Sequence, residues 1–117
     1  MFTTRRVVVV DADRETAEML HTFFRLMELD CSLVPPGSEA VPTVRRQHPD
    51  ILILDLDLPD LRALEIASAV RRSIPHLPII YLTDETPELP RVEGPVVRRP
   101  RAFEDLLGLF ELVLAME

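Results

Sequence analysis

Two short apolar runs in this sequence each end in aspartates. Ile-Leu-Ile-Leu at residues 51–54 leads into Asp55 and Asp57, and four valines at residues 7–10 lead into Asp11. Runs of this length and composition predict strands buried on both faces, which is typical of a parallel sheet. Parallel strands end at one edge of the sheet, where open α/β proteins bind their ligands. We therefore expect an acidic ligand site in which Asp11 and Asp55 lie close enough to share an ion.

The composition predicts one globular domain over residues 1–117. The chain is 47% hydrophobic, which is enough for a real core but leaves no room for a second one. The net charge of −7 argues against a nucleic-acid partner, because such binding depends on Lys and Arg neutralising phosphates. Cys31 is the only cysteine, which is typical of a reducing compartment. Apolar runs of membrane-spanning length are lacking, so we expect a cytoplasmic protein without a membrane partner.

Predicted strands alternate with predicted helices, and this alternation indicates right-handed parallel crossovers. The strands are predicted at residues 7–10, 31–34, 51–54, 78–83 and 96–97. The helices are predicted at residues 13 to about 29, 39–47, 64–74 and 103 to about 116. Pro42 is comfortable only in the first turn of a helix, and it therefore places the start of the second helix near Glu39.

Several short motifs recur in a definite order along almost the whole chain. They are Val-Val-Val-Asp11, Gly37-Ser-Glu-Ala40, Pro49-Asp50 with Ile-Leu-Asp55 and Pro59, Pro78-Ile-Ile-Tyr-Leu-Thr83, and a basic residue before Pro100. Together they resemble the response-regulator receiver domain, the phosphorylated module of two-component signalling. This resemblance implies an α/β fold: a five-stranded parallel doubly wound sheet in the flavodoxin-like order 2-1-3-4-5.

The resemblance also implies a role for each site residue. Asp55 would accept a phosphoryl group from a phosphohistidine on a histidine kinase or phosphotransfer protein. Asp11, Asp55 and the backbone carbonyl of Asp57 would hold Mg²⁺. The Thr83 hydroxyl would bond the phosphoryl group, and Arg99 stands where the family usually has a lysine that pairs with it.

The chain departs from the family pattern at several site positions. Ala12 replaces the second of two adjacent acids, while Asp13 fits better as the cap of the first helix. Arg99 keeps the positive charge of the usual lysine but not its geometry. Ala63 stands where the family favours glycine, and it is unfavourable if that position needs a positive φ. Ala12 and Arg99, together with the shortened segment described next, favour an alternative, a phosphorylation-independent pseudo-receiver that acts as an interaction or dimerisation module.

The segment between Thr83 and Arg99 is shorter than in ordinary receivers and carries Pro87, Pro90 and Pro95. Prolines at this spacing cannot support several helical turns. We therefore expect the family's fourth helix to be absent or a single turn, and we do not expect the usual relay from threonine to an aromatic residue.

The closing helix has more apolar residues than one core-facing stripe can use. They are Leu106, Leu107, Leu109, Phe110, Leu112, Val113 and Leu114. Either the preceding loop covers the surplus, or this helix binds a partner protein or a second copy of the chain.

An enzymatic alternative rests on Asp55-Leu56-Asp57, which is similar to the nucleophile motif of haloacid-dehalogenase-type phosphatases. Such enzymes also need a later acidic pair, a basic residue and a longer chain. We therefore expect a signalling protein rather than an enzyme.

Overall fold

A sheet of five parallel strands forms the centre of the computed structural model, which describes residues 5–85 and 92–116. The strands are β1 Arg6–Val10, β2 Asp30–Val34, β3 Ile51–Asp55, β4 Ile79–Thr83 and β5 Val96–Arg98. Their order across the sheet is β2-β1-β3-β4-β5. The prediction of a parallel sheet in the order 2-1-3-4-5 is confirmed.

Helices cover both faces of the sheet in the described part of the chain. They are α1 Arg14–Leu26, α2 Ala40–Gln47, α3 Arg62–Ser73 and α4 Phe103–Ala115, with a 3₁₀ turn at Pro59–Leu61. Every residue of β3 and β4 is buried because helices lie above and below them. Among the described residues, none of the helices has the length and apolar character needed to cross a membrane.

Successive strand residues point to opposite faces and so build two cores. Val8 and Leu52 belong to the core that α2 and α3 cover. Val7 and Ile53 belong to the core that α1 and α4 cover. The continuous apolar runs seen in the sequence are therefore explained by burial on both faces.

Strand register brings the polar residues to one edge. Val10 pairs with Leu54, and Thr83 pairs with Arg98. The residues that follow these partners therefore lie together at the carboxyl edge of the sheet, where Asp55 is the last residue of β3. They are Asp11, Asp55, Asp84 and Arg99.

Local backbone conformation determines where α1 ends and where α2 begins. α1 ends at Leu26, earlier than predicted, and Glu28 takes a left-handed φ of 65° that helical geometry excludes. α2 begins at Ala40, so Pro42 lies in its first turn as predicted.

The turn before α3 differs from the expectation at Ala63. Ala63 is buried within α3, and the positive φ of this turn, 57°, falls on Asp60 instead. Aspartate tolerates the left-handed region better than most residues, so the sequence accommodates the turn without a glycine.

The segment between Thr83 and Arg99 is described only at its ends. Residues 86–91, on which much of the prediction of an absent or single-turn helix falls, lie outside the described residues. Residues 92–95 form no helix, and Arg71 binds them by donating from Nη2 to the Glu93 carbonyl at 2.9 Å. The Tyr81 amide donates to the Pro95 carbonyl at 2.9 Å, which starts the pairing of β5 with β4.

Candidate functional site

The Arg99 guanidinium lies at the centre of the site and contacts three carboxylates. Its Nη1 donates to Asp11 Oδ2, its Nη2 to Asp55 Oδ1 at 3.0 Å, and its Nε to Asp84 Oδ1 at 2.8 Å. The Arg99 side chain is 7% exposed, and those of Asp11 and Asp55 are 0% and 4% exposed. The side chain of Asp84 is 53% exposed. Arg99 therefore forms two buried ion pairs and one that solvent reaches.

Backbone amides fix the orientation of the two buried carboxylates. The Asp13 amide donates to Asp11 Oδ1 at 2.9 Å. The Asp57 amide donates to Asp55 Oδ1 at 2.9 Å, and the Ala12 amide makes a longer bond of 3.3 Å to Asp55 Oδ2. Asp55 Oδ1 thus has two donors, while Oδ2 has one weak donor and is the less engaged oxygen of the carboxylate.

Asp57 and Thr83 join the loops that follow β3 and β4. Thr83 Oγ1 donates to Asp57 Oδ1 at 2.8 Å, and the Asp84 amide donates to Asp57 Oδ2 at 2.7 Å. Thr83 Oγ1 also accepts from the Glu85 amide at 3.2 Å. The carboxylate of Asp57 therefore connects two loops, and the hydroxyl proton of Thr83 is directed to Asp57 rather than to Asp55.

Burial and charge shift the pKa of both partners in the central ion pair. Burial raises the pKa of Asp11 to about 6, and the charge of Asp55 adds to this, whereas the Asp13 amide and Arg99 lower it. Burial lowers the pKa of Arg99, but the charges of Asp11 and Asp55 and the bonds to Asp11 and Asp84 raise it above its usual value. Arg99 therefore stays charged while Asp11 titrates near the acidic end of the physiological range.

We expect the Asp11 carboxyl to titrate with a midpoint near pH 6, well above its usual value of 3.8. Since the native state then binds a proton more tightly than the unfolded chain, this group adds stability as the pH falls from above 6 towards 4. The measurement is a side-chain carboxyl NMR titration of the folded protein. A midpoint for Asp11 at or below 3.8 would contradict the prediction.

Asp11 and Asp55 supply the oxygen ligands that Mg²⁺ prefers, but the Arg99 guanidinium already bridges them. Within residues 5–85 and 92–116, no group of three or more His, Cys, Asp or Glu is arranged to hold a metal ion. The site as arranged therefore does not fit a divalent cation while Arg99 keeps these contacts.

The structure brings Asp11, Asp55 and Arg99 together as one ion-pair cluster and places Asp57 and Thr83 beside it. Asp84, the third partner of Arg99, is not among the site residues predicted from the sequence. Its signal was present, since Asp84 directly follows a strand as Asp11 does.

Asp13 occupies the residue before α1, as expected of a cap. Its carboxylate accepts a hydrogen bond from Thr16 Oγ1 at 2.7 Å, and this bond is the largest cause of the lowered pKa of Asp13. The backbone amides of Glu15 and Thr16 in the first turn also lower the pKa of Asp13.

Comparison with curated proteins identifies relatives of this chain. Residues 7–94 match the response regulator receiver domain. TcrX, a probable transcriptional regulatory protein of Mycobacterium tuberculosis, is 34% identical over 88 residues, which cover 75% of this chain and 38% of TcrX. The chain therefore spans well under half the length of this relative.

Solved structures show the same fold. The chemotaxis response regulator CheY4 of Vibrio cholerae has a TM-score of 0.81 at 24% identity, covering 95% of this chain and 99% of CheY4. TrrA of Thermotoga maritima, solved with Mg²⁺ and BeF, has a TM-score of 0.81 at 22% identity, covering 97% of this chain and 100% of TrrA. TrrA in complex with the histidine kinase ThkA gives a TM-score of 0.74 at 22% identity, covering 95% of this chain and 99% of TrrA.

The family match begins in β1, takes in Asp11, Asp55 and Thr83, and covers well over half of the chain. Because the strand order and the acidic edge of the sheet agree with that match, the chain belongs to the response regulator receiver domain family, a signalling module of two-component systems.

Proposed function

We propose that residues 1–117 act as one receiver unit that accepts a phosphoryl group on Asp55 from a phosphohistidine. The donor would be a histidine kinase or a phosphotransfer protein, in line with the complex of TrrA and ThkA. The observation that carries the proposal is the uneven hydrogen bonding of the two oxygens of the Asp55 carboxylate. Arg99 and a backbone amide hold Oδ1, whereas Oδ2 has only one weak donor.

The chemistry follows from this arrangement. Asp55 Oδ2 attacks the phosphorus atom, a new O–P bond forms, and the P–N bond to the imidazole breaks. The electron pair of the P–N bond stays on the departing imidazole nitrogen. The Ala12 amide faces the Asp55 carboxylate and, with the cation that the carboxylate pair holds, offsets the negative charge of the arriving phosphoryl oxygens. The product is an acyl phosphate on Asp55.

Thr83 would bond the phosphoryl group only after its hydroxyl leaves Asp57, to which it now donates. That change of partner would loosen the contact between the loops after β3 and β4. It offers a physical route from phosphorylation to a change at the surface, since Asp57 also accepts from the Asp84 amide.

In the proposed function, Mg²⁺ would be bound by Asp11, Asp55 and the Asp57 carbonyl. TrrA was solved with Mg²⁺ and BeF. In this chain the ion would have to compete with Arg99 for the first two of these residues.

The output would be a protein contact made by α4. Phe103 and Leu114 on this helix are 62% and 45% exposed, while Leu107, Phe110 and Leu112 are only partly buried. This surface would bind a partner protein or a second copy of the chain. We place that activity in the cytoplasm, because a buried free thiol such as Cys31 is typical of reducing compartments.

The test is phosphorylation by acetyl phosphate with Mg²⁺, read as the mass of the intact protein. We expect the wild-type chain to gain one phosphoryl group and the Asp55→Asn variant to gain none, because the amide lacks the nucleophilic oxygen. Asp60→Asn is the matched control, since Asp60 is an exposed acid in a nearby loop and asparagine accepts its φ of 57°.

A folded wild-type chain that gains no phosphoryl group would overturn the proposal and favour the phosphorylation-independent pseudo-receiver. Equal labelling of wild type and Asp55→Asn would also overturn it, by placing the acceptor elsewhere. Turnover of a generic phosphate ester by the wild type would instead favour the phosphatase alternative.

A further inference from the structure

We propose that Arg99 serves as the resident cation of the phosphorylation site, so that a divalent ion binds only after the Arg99 side chain releases Asp11 and Asp55. The inference concerns the same site as the proposed function and rests on it for its biological meaning. Its physical content is a competition between two cations for one pair of carboxylates.

The contacts of Arg99 explain why both cations cannot be held together. Nη1 contacts one oxygen of Asp11, and Nη2 contacts one oxygen of Asp55. The guanidinium therefore lies between the two carboxylates. A divalent ion bridging the same carboxylates would lie against the guanidinium. Because the buried site is poorly screened by water, the repulsion between the two cations would be strong.

The structure also provides a place to which the guanidinium can move. A cavity of about 550 Å³ adjoins Arg99 between the start of α1 and the loops after β4 and β5. Its lining includes three carboxylate residues, Asp13, Glu15 and Asp84, and one other arginine, Arg101, whose Nη2 lies 3.9 Å from Asp84 Oδ1. Arg99 already contacts Asp84, which is the exposed one of its three carboxylate partners. Rotation about that contact would keep Arg99 paired while it releases the other two.

The site therefore has two arrangements, one with Arg99 on Asp11 and Asp55 and one with Arg99 in the acidic cavity. For a ligand that binds only the second arrangement, the apparent affinity is the intrinsic affinity multiplied by the fraction of molecules in that arrangement. If the second arrangement holds about a tenth of the molecules or fewer, the apparent Mg²⁺ affinity falls at least about tenfold.

The experiment is a Mg²⁺ titration of the unphosphorylated protein, followed by backbone amide NMR at Asp55 and its neighbours. We expect Arg99→Met to bind Mg²⁺ at least about tenfold more tightly than the wild type. Arg14→Met is the matched control, since Arg14 is 90% exposed, pairs with exposed Glu18 and carries the same charge. The control should change the affinity by less than about twofold.

A second readout uses the wild-type chain and does not depend on the variant folding. In the Mg²⁺ titration, the Nε–Hε signal of Arg99 should shift together with the Asp55 amide, and that of Arg14 should not. An unchanged Arg99 signal while Asp55 responds, or equal affinities of wild type and Arg99→Met, would overturn the inference. Neither readout involves phosphate, so each outcome is separate from the Asp55→Asn test of the proposed function.

Discussion

The Arg99→Met variant is expected to lose about 3–5 kcal/mol of unfolding free energy at pH 7 in buffer without divalent cations. Methionine keeps much of the side-chain volume but removes the charge, and this leaves Asp11 and Asp55 buried without their shared partner. Removing one member of a buried ion pair is far more costly than the pair is worth, because the remaining carboxylates must stay charged and desolvated or take up protons. Chemical denaturation of wild type and variant, under identical conditions, measures the difference.

Two further variants identify the cause of that loss. Adding Asp11→Asn to Arg99→Met should restore part of the stability, because it removes one of the unpaired charges. Arg14→Met, which removes an exposed arginine, should change the stability by less than about 0.5 kcal/mol. An Arg99→Met chain as stable as Arg14→Met would show that the buried carboxylates do not depend on Arg99.

The meeting of Asp11 and Asp55 was predictable from the sequence, because both follow apolar runs that are typical of buried parallel strands. Val7 and Ile53 lie in the core in the way this pattern requires. The strand order rested on the family resemblance rather than on periodicity, since alternation of strands and helices leaves several orders open.

The partners of Arg99 were not predictable from the sequence. The family pattern placed Arg99 beside the phosphoryl group, but which carboxylates it contacts depends on side-chain direction and on how deeply each strand end is buried. The planar guanidinium reaches Asp11, Asp55 and Asp84 through three separate nitrogens, a geometry that the single nitrogen of a lysine cannot reproduce.

Asp57 shows a similar limit. The resemblance assigned a role to its backbone carbonyl and none to its side chain, yet its carboxylate joins two loops through Thr83 and the Asp84 amide. Contacts between loops depend on the separation of β3 and β4 along the sheet edge. Sequence spacing does not report that separation, because the loop partners are far apart in the chain.

The Gly94→Ala variant is expected to lose about 2–4 kcal/mol of unfolding free energy. Gly94 has a φ of 138°, and a Cβ atom there would lie 2.3 Å from the Ile79 carbonyl oxygen. That carbonyl belongs to the backbone of β4 and cannot move without disturbing the central sheet. Thermal or chemical unfolding of wild type and variant measures the loss.

Gly108→Ala is the matched control, because a Cβ atom at Gly108 meets nothing within 4 Å and the residue lies inside α4. Alanine should stabilise that helix by about 0.5–1 kcal/mol, so the two substitutions should change the stability in opposite directions.

Gly94 lies just before β5, and Arg99 lies just after it. The Arg99 amide donates to the Thr83 carbonyl at 2.8 Å, which ties Arg99 to the end of β4. If alanine at residue 94 shifts β5, the Asp55 and Arg99 signals should shift with it. A Gly94→Ala chain with wild-type stability would show that β5 does not need this close approach to β4.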